Sequence, residues 1–105
     1  MNREILKAII DVYRDRSEAV LVTLCQTSGS TPRKAGAKML VYSNTQILGT
    51  VGGGILELKA IQKALELLKT KGSPFLWECE VAGEGMICGG SGTVYIEIID
   101  GTATD

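Results

Sequence analysis

The chain has 105 residues, 45% hydrophobic and 22% charged, with eleven Lys+Arg against twelve Asp+Glu for a net charge of −1. That length holds one domain, residues 1–105; the composition excludes a disordered chain, and the absence of a basic excess excludes general attraction to nucleic acid or to anionic membranes. There is no histidine, which removes Ser-His-Asp triads, Cys-His dyads and most metal sites.

Residues 3–14 read as a helix, with Ile5, Leu6, Ile9, Ile10 and Tyr13 on one stripe and Arg3, Glu4, Lys7, Asp11 and Arg14 on the other. This charged, amphipathic start is unlike a signal peptide, and no apolar run approaches the ~20 residues that cross a bilayer. Ala19 to Cys25 is a near-continuous apolar run, suited to a strand buried on both faces. A polar loop, 26–37, leads to strands at 38–42 and 47–51, joined through Ser43-Asn44-Thr45-Gln46 as a hairpin. Gly52-Gly53-Gly54 then opens a helix to about Lys71, with Leu58, Ile61, Leu65 and Leu68 on its apolar face and Gly72 and Pro74 marking its end. Phe75 to Val81 alternates as a strand, 82–92 is a second glycine-rich loop, and Thr93 to Ile99 is the last strand. The order α-β-β-β-α-β-β, with strand, helix and strand over 47–81 as a crossover, predicts a mixed sheet of about five strands with two main helices. The fold class is α/β, with α+β as the alternative.

Three loops are more than connectors. The first, Thr27 to Lys38, carries hydroxyls and three cations, among them Arg33, whose planar fork suits phosphate or carboxylate; an ordinary solvated loop is the competing reading. In the second, Gly49 to Glu57, consecutive glycines ahead of a helix leave amides for an anion. It is neither a dinucleotide fingerprint, since Glu57 holds the last glycine position, nor a P-loop. Glu57 either compensates the positive end of the helix dipole or faces a ligand. The third, Gly83 to Gly92, surrounds Cys88 with five glycines whose amides can stabilise a thiolate; a free surface cysteine is the alternative. Cys25 and Cys79 read as buried small hydrophobes. A zinc site from the three cysteines would need a fourth ligand and closer pairs, so no metal site is expected. Uneven cysteines without CxxC spacing point to reduced thiols in the cytoplasm.

Gly29-Ser30-Thr31-Pro32-Arg33 with Gly36-Ala37-Lys38-Met39, Gly49-Thr50-Val51-Gly52-Gly53-Gly54 with Glu57, and Met86-Ile87-Cys88-Gly89-Gly90 together resemble the amino-terminal domain of the XdhC/CoxI family of xanthine dehydrogenase accessory factors. The resemblance runs from about Val20 to Glu97. It implies a chaperone that binds the molybdenum cofactor (molybdopterin) as cargo, shelters it during sulfuration by a cysteine desulfurase, and assists its insertion into an apo molybdenum hydroxylase of the xanthine dehydrogenase type. Carried over by position, Ser30, Arg33, Gly52, Gly53, Gly54, Glu57, Cys88, Gly89 and Gly90 form the cofactor site. Cys88 is the thiol that meets the metal end or, were sulfur transferred, the catalytic residue. Ile55 stands where many members carry cysteine. The Rossmann-like second domain typical of members is not in this sequence, so a separate Rossmann partner and a homo-oligomer are expected. Two alternatives stay open: a sulfur transferase working through a Cys88 persulfide, and a cofactor-independent interaction or regulatory module.

Overall fold

The computed structural model describes residues 2–27, 35–79 and 92–102. Helix α1 spans Arg3–Arg14, followed by β1 (Glu18–Thr27), β2 (Lys38–Tyr42), β3 (Ile47–Gly49), α2 (Gly54–Thr70), β4 (Phe75–Cys79) and β5 (Gly92–Asp100). Two helices and five strands thus occur in the expected order.

The five strands form one sheet in the order β3-β2-β1-β5-β4. Every pairing is antiparallel, which corrects the expected mixed sheet. The segment from β3 through α2 to β4 does return a strand in the same direction. It carries the chain from one edge of the sheet to the other, however, so β3 and β4 never become parallel neighbours. Antiparallel pairing throughout is the α+β feature; helices on both faces are the α/β one.

β1 is buried on both faces from Ala19 to Leu24, as its near-continuous apolar run predicts. Val20, Val22 and Leu24 face α2 together with Met39, Val41, Val94 and Ile96. Ala19 and Leu21 face α1 with Leu40 and Ile99. Phe75 and Trp77 join the α2 side from the edge strand, in line with the alternation read there.

The buried stripes overlap those expected but are shifted: Ile5 and Leu68 are buried and Ile9, Ile61 and Leu65 pack against the core. α1 packs through Ile5, Ala8 and Val12, leaving Leu6, Ile10 and Tyr13 about half exposed. α2 packs through Leu56, Ala60, Ala64, Leu67 and Leu68, and Leu58 is exposed. Small residues at the contact bring the helix axes close to the sheet, and a large side chain on that stripe would hold the helix away. At the end of α2 it is Lys71, not Gly72, that adopts the left-handed conformation, with φ 55°.

Candidate functional site

Alternating strand direction brings the residues that flank the unusual loops to one end of the sheet. β1, β3 and β4 finish at the end where β2 and β5 begin, because Thr27 pairs with Gly92, Cys79 with Gly92, and Met39 with Gly49. The segments 28–37, 50–53 and 80–91 all leave from this end. Both helices begin there too. Ile5 packs against Gly49, and Asn2 lines a cleft of about 290 Å³ with Gly36, Ala37, Lys38, Gly49 and Thr50. Leu56, in the first turn of α2, lies so close to Gly92 that a Cβ there would meet its Cδ2 at 2.9 Å. The positive poles of two helix dipoles therefore lie at the same end, one on each face of the sheet. Lys38 is also at this end, its ammonium donating to the Thr23 hydroxyl at 3.1 Å.

The turn before α2 can be followed atom by atom. Gly49 ends β3 with φ 84°, two residues before the predicted strand end, so Thr50 and Val51 leave the sheet. Val51 is fully buried and anchors the turn in the core. Gly53 is the N-cap of α2 with φ 75° and supplies no side-chain cap. Glu57 takes over that role. Its Oε1 accepts from the Val51 amide at 3.1 Å, the Gly53 amide at 3.2 Å and the Thr50 hydroxyl. The same Thr50 hydroxyl accepts from the Gly52 amide at 3.0 Å. This is the reciprocal half of a capping box, shifted by one residue, with a glycine where serine or threonine usually sits.

Of the two readings of Glu57, then, the geometry has its carboxylate turned back onto its own loop. The amides of Val51, Gly52 and Gly53 are engaged within the loop, while no acceptor among the described residues meets those of Gly54, Ile55 and Leu56. A Cβ built at Gly53 or Gly54 meets nothing within 4 Å. These glycines serve a left-handed backbone, and the space beyond them is open.

The other sequence-derived positions, Ser30, Arg33, Cys88, Gly89 and Gly90, lie outside the described residues. Cys25 is free and exposed, contrary to expectation. Alternation along β1 turns it away from the α2 core that holds Leu24, and the register with β5 shifts between Leu24 and Gln26. Cys79 is buried as expected but is disulfide-bonded, where the sequence reading predicts reduced thiols. Among the described residues there is no metal-ligating cluster and no helix long and apolar enough to cross a membrane. Sequence reasoning missed Thr50, whose hydroxyl bridges Glu57 and the Gly52 amide; the signal lay in its position at the head of the glycine triplet.

Comparison with known proteins follows the same residues. The profile of the XdhC and CoxI family matches residues 12–77. The chain is 35% identical over 83 residues to the uncharacterized protein YqeB of Escherichia coli (strain K12), covering 74% of this chain and 15% of that protein. It is 36% identical over 67 residues to the molybdenum cofactor insertion chaperone PaoD of the same organism, covering 64% and 21%. Among solved structures, a xanthine dehydrogenase from Bacillus halodurans superimposes with a TM-score of 0.74 at 26% identity, over 92% of this chain and 30% of that one. The chain spans less than a third of the length of each of these relatives. With more than half of its residues matched by the profile, the chain belongs to the XdhC and CoxI family.

Proposed function

We propose that this chain is an accessory module for molybdenum hydroxylases that binds molybdopterin at the glycine-loop end of its sheet. The observation that carries the reading is that the residues from which the three loops depart, at the ends of β1, β3 and β4, share one end of the sheet with two helix N-termini. A phosphorylated ligand needs amide donors, positive potential and an unobstructed backbone. The amides at the start of α2, which meet no acceptor among the described residues, and the open space beside Gly53 and Gly54 fit those needs. The relative named for molybdenum cofactor insertion supports the choice of cargo.

In this reading Gly52, Gly53 and Gly54 cradle the phosphate, and Ser30 and Arg33 hold the ligand from the first loop. Cys88, with Gly89 and Gly90, meets the metal end in the chain whose thiols are reduced. The cargo passes to an apo hydroxylase of the xanthine dehydrogenase type after sulfuration by a cysteine desulfurase, in the cytoplasm. The module works as a homo-oligomer or with a separate Rossmann-domain protein. Its role is to bind and present, not to catalyse.

The test is titration of the purified chain with molybdopterin. Near one-to-one binding is expected, with at least tenfold weaker binding for both Gly53→Val and Cys88→Ala. Gly53→Val is informative because a Cβ there touches nothing, so the substitution acts through the turn backbone and not through a core clash. Wild-type affinity in both variants would show the site to be elsewhere.

A further inference from the structure

The loop before α2 already contains an anion. Glu57 Oε1 receives three donors from residues 50–53, and the Thr50 hydroxyl passes the network on to the Gly52 amide. These donors replace water around the carboxylate and tie together four consecutive residues, three of which are Val51, Gly52 and Gly53. Two of these are glycines with φ values of 128° and 75°, so nothing in their own covalent structure selects this shape. The unfolded-like freedom of such a turn has to be offset by contacts, and the carboxylate supplies them.

We propose that Glu57 is a positioning residue and not a ligand contact: its carboxylate is the resident anion that holds the 50–53 turn in shape before any ligand arrives, and its charge opposes an incoming anion at the start of α2. The second half rests on the function proposed above; the first does not. The two effects separate by substitution. Glutamine keeps an oxygen that can accept the same three hydrogen bonds but removes the charge. Alanine removes both. A ligand-contacting carboxylate would be harmed by both changes, and a merely space-filling one would respond to neither.

Hydrogen–deuterium exchange on the ligand-free chain tests the first half. Exchange at the Val51 and Gly53 amides, measured relative to core amides such as Val22 and Ile96, should quicken by about tenfold or more in Glu57→Ala, the scale of losing a hydrogen bond to a charged acceptor. Glu57→Gln should stay within about threefold of wild type, the effect of exchanging a charged acceptor for a neutral one of the same shape. Molybdopterin titration tests the second half. Glu57→Gln should bind about threefold more tightly than wild type, as expected from removing one like charge several ångströms away in a solvated site, and Glu57→Ala should bind more weakly than Glu57→Gln. Unchanged protection in Glu57→Ala overturns the proposal, as does weaker binding by Glu57→Gln than by wild type. If wild type itself binds no molybdopterin, the proposed function falls, while the exchange experiment still decides whether Glu57 holds the turn.

Discussion

Gly49 offers the sharpest test of how the site is built, because two separate costs meet there. Its φ of 84° is one that side chains with a Cβ rarely adopt, and forcing alanine into it costs about 1–2 kcal/mol. In addition, a Cβ at this position would lie 2.5 Å from the backbone carbonyl oxygen of Lys38 and 3.1 Å from Ile5 Cδ1. The first neighbour is backbone in the paired strand and the second is a side chain only 1% exposed, so neither yields easily. Overpacking of this kind costs a further ~1–3 kcal/mol, and the β2–β3 pairing of Met39 with Gly49 is the contact that must give way. Gly49→Ala should therefore destabilise the chain by about 2–5 kcal/mol.

Gly36 separates the two contributions. Its φ of 98° is also left-handed, yet a Cβ there meets nothing within 4 Å. Gly36→Ala should cost only the strain, about 1–2 kcal/mol. In urea denaturation, with a slope of roughly 2 kcal/mol per molar, Gly49→Ala should lower the midpoint by about 1–2.5 M and Gly36→Ala by less than about 1 M. Equal midpoint shifts would refute the claim that the strand-end glycine is required by close packing as well as by backbone conformation.

Other substitutions test other parts of the structure. Lys71→Gly should raise stability by about 0.5–1 kcal/mol, since glycine relieves the left-handed cap at the end of α2 and the lost ion pair with Glu18 is exposed on its lysine side; a lower urea midpoint would contradict this. Val12→Ala should cost about 2 kcal/mol because Val12 is buried, and Ile10→Ala should change stability by less than ~0.5 kcal/mol because Ile10 is half exposed. The reverse ranking would restore the helix face expected from sequence. The Tyr42 phenol is held above its ordinary value of 10.0, first by burial and then by the Asp11 carboxylate. Its neutral form is thus favoured in the folded chain. The contribution is intact below pH 10 and is lost as pH rises through the folded value. Stability should fall less steeply above pH 10 in Tyr42→Phe than in wild type, and identical slopes in urea midpoints taken at pH 9 and 11 would exclude this role.

Much of the fold was legible because local chemistry dictates it. The run from Ala19 to Leu24 is apolar apart from Thr23, so burial on both sides follows, while Cys25 at its end is exposed. The helix faces were harder. α1 carries Ile5, Leu6, Ile9, Ile10 and Tyr13 on an arc wider than the contact it makes, and the buried edge of that arc is set by Ala8 and Val12. Side-chain size alone points toward the bulky residues, while close approach to a sheet selects the small ones. Sheet order was not legible, since which strand lies beside β5 depends on contacts distant in sequence. The same holds for Glu57: its position in the first turn is visible in the sequence, but the direction of its carboxylate depends on the left-handed path of Gly52 and Gly53.

The two ends of the sheet are built by different rules, and this bears on where function can reside. At one end the connections are 15–17, 43–46 and 71–74, tight turns closed by their own hydrogen bonds, such as Ser17 N to Val12 O and Tyr42 N to Gln46 O. At the other end the strands terminate at Thr27, Lys38, Gly49, Cys79 and Gly92, and the segments 28–37, 50–53 and 80–91 that continue from them hold, in sequence, most of the glycines and the cations of the first loop. Short turns at the first end fix strand register, so the other can carry longer segments selected for a ligand. Changes at Gly53 and Gly54 should carry the strain of a positive φ but no packing clash, since a Cβ at either meets nothing within 4 Å. Gly49 and Gly92 sit at the boundary, each pressed against a helix residue near that end, Ile5 and Leu56. Substitution at either must disturb that packing, which sets the limit within which the loops can vary while the sheet still presents them at one end.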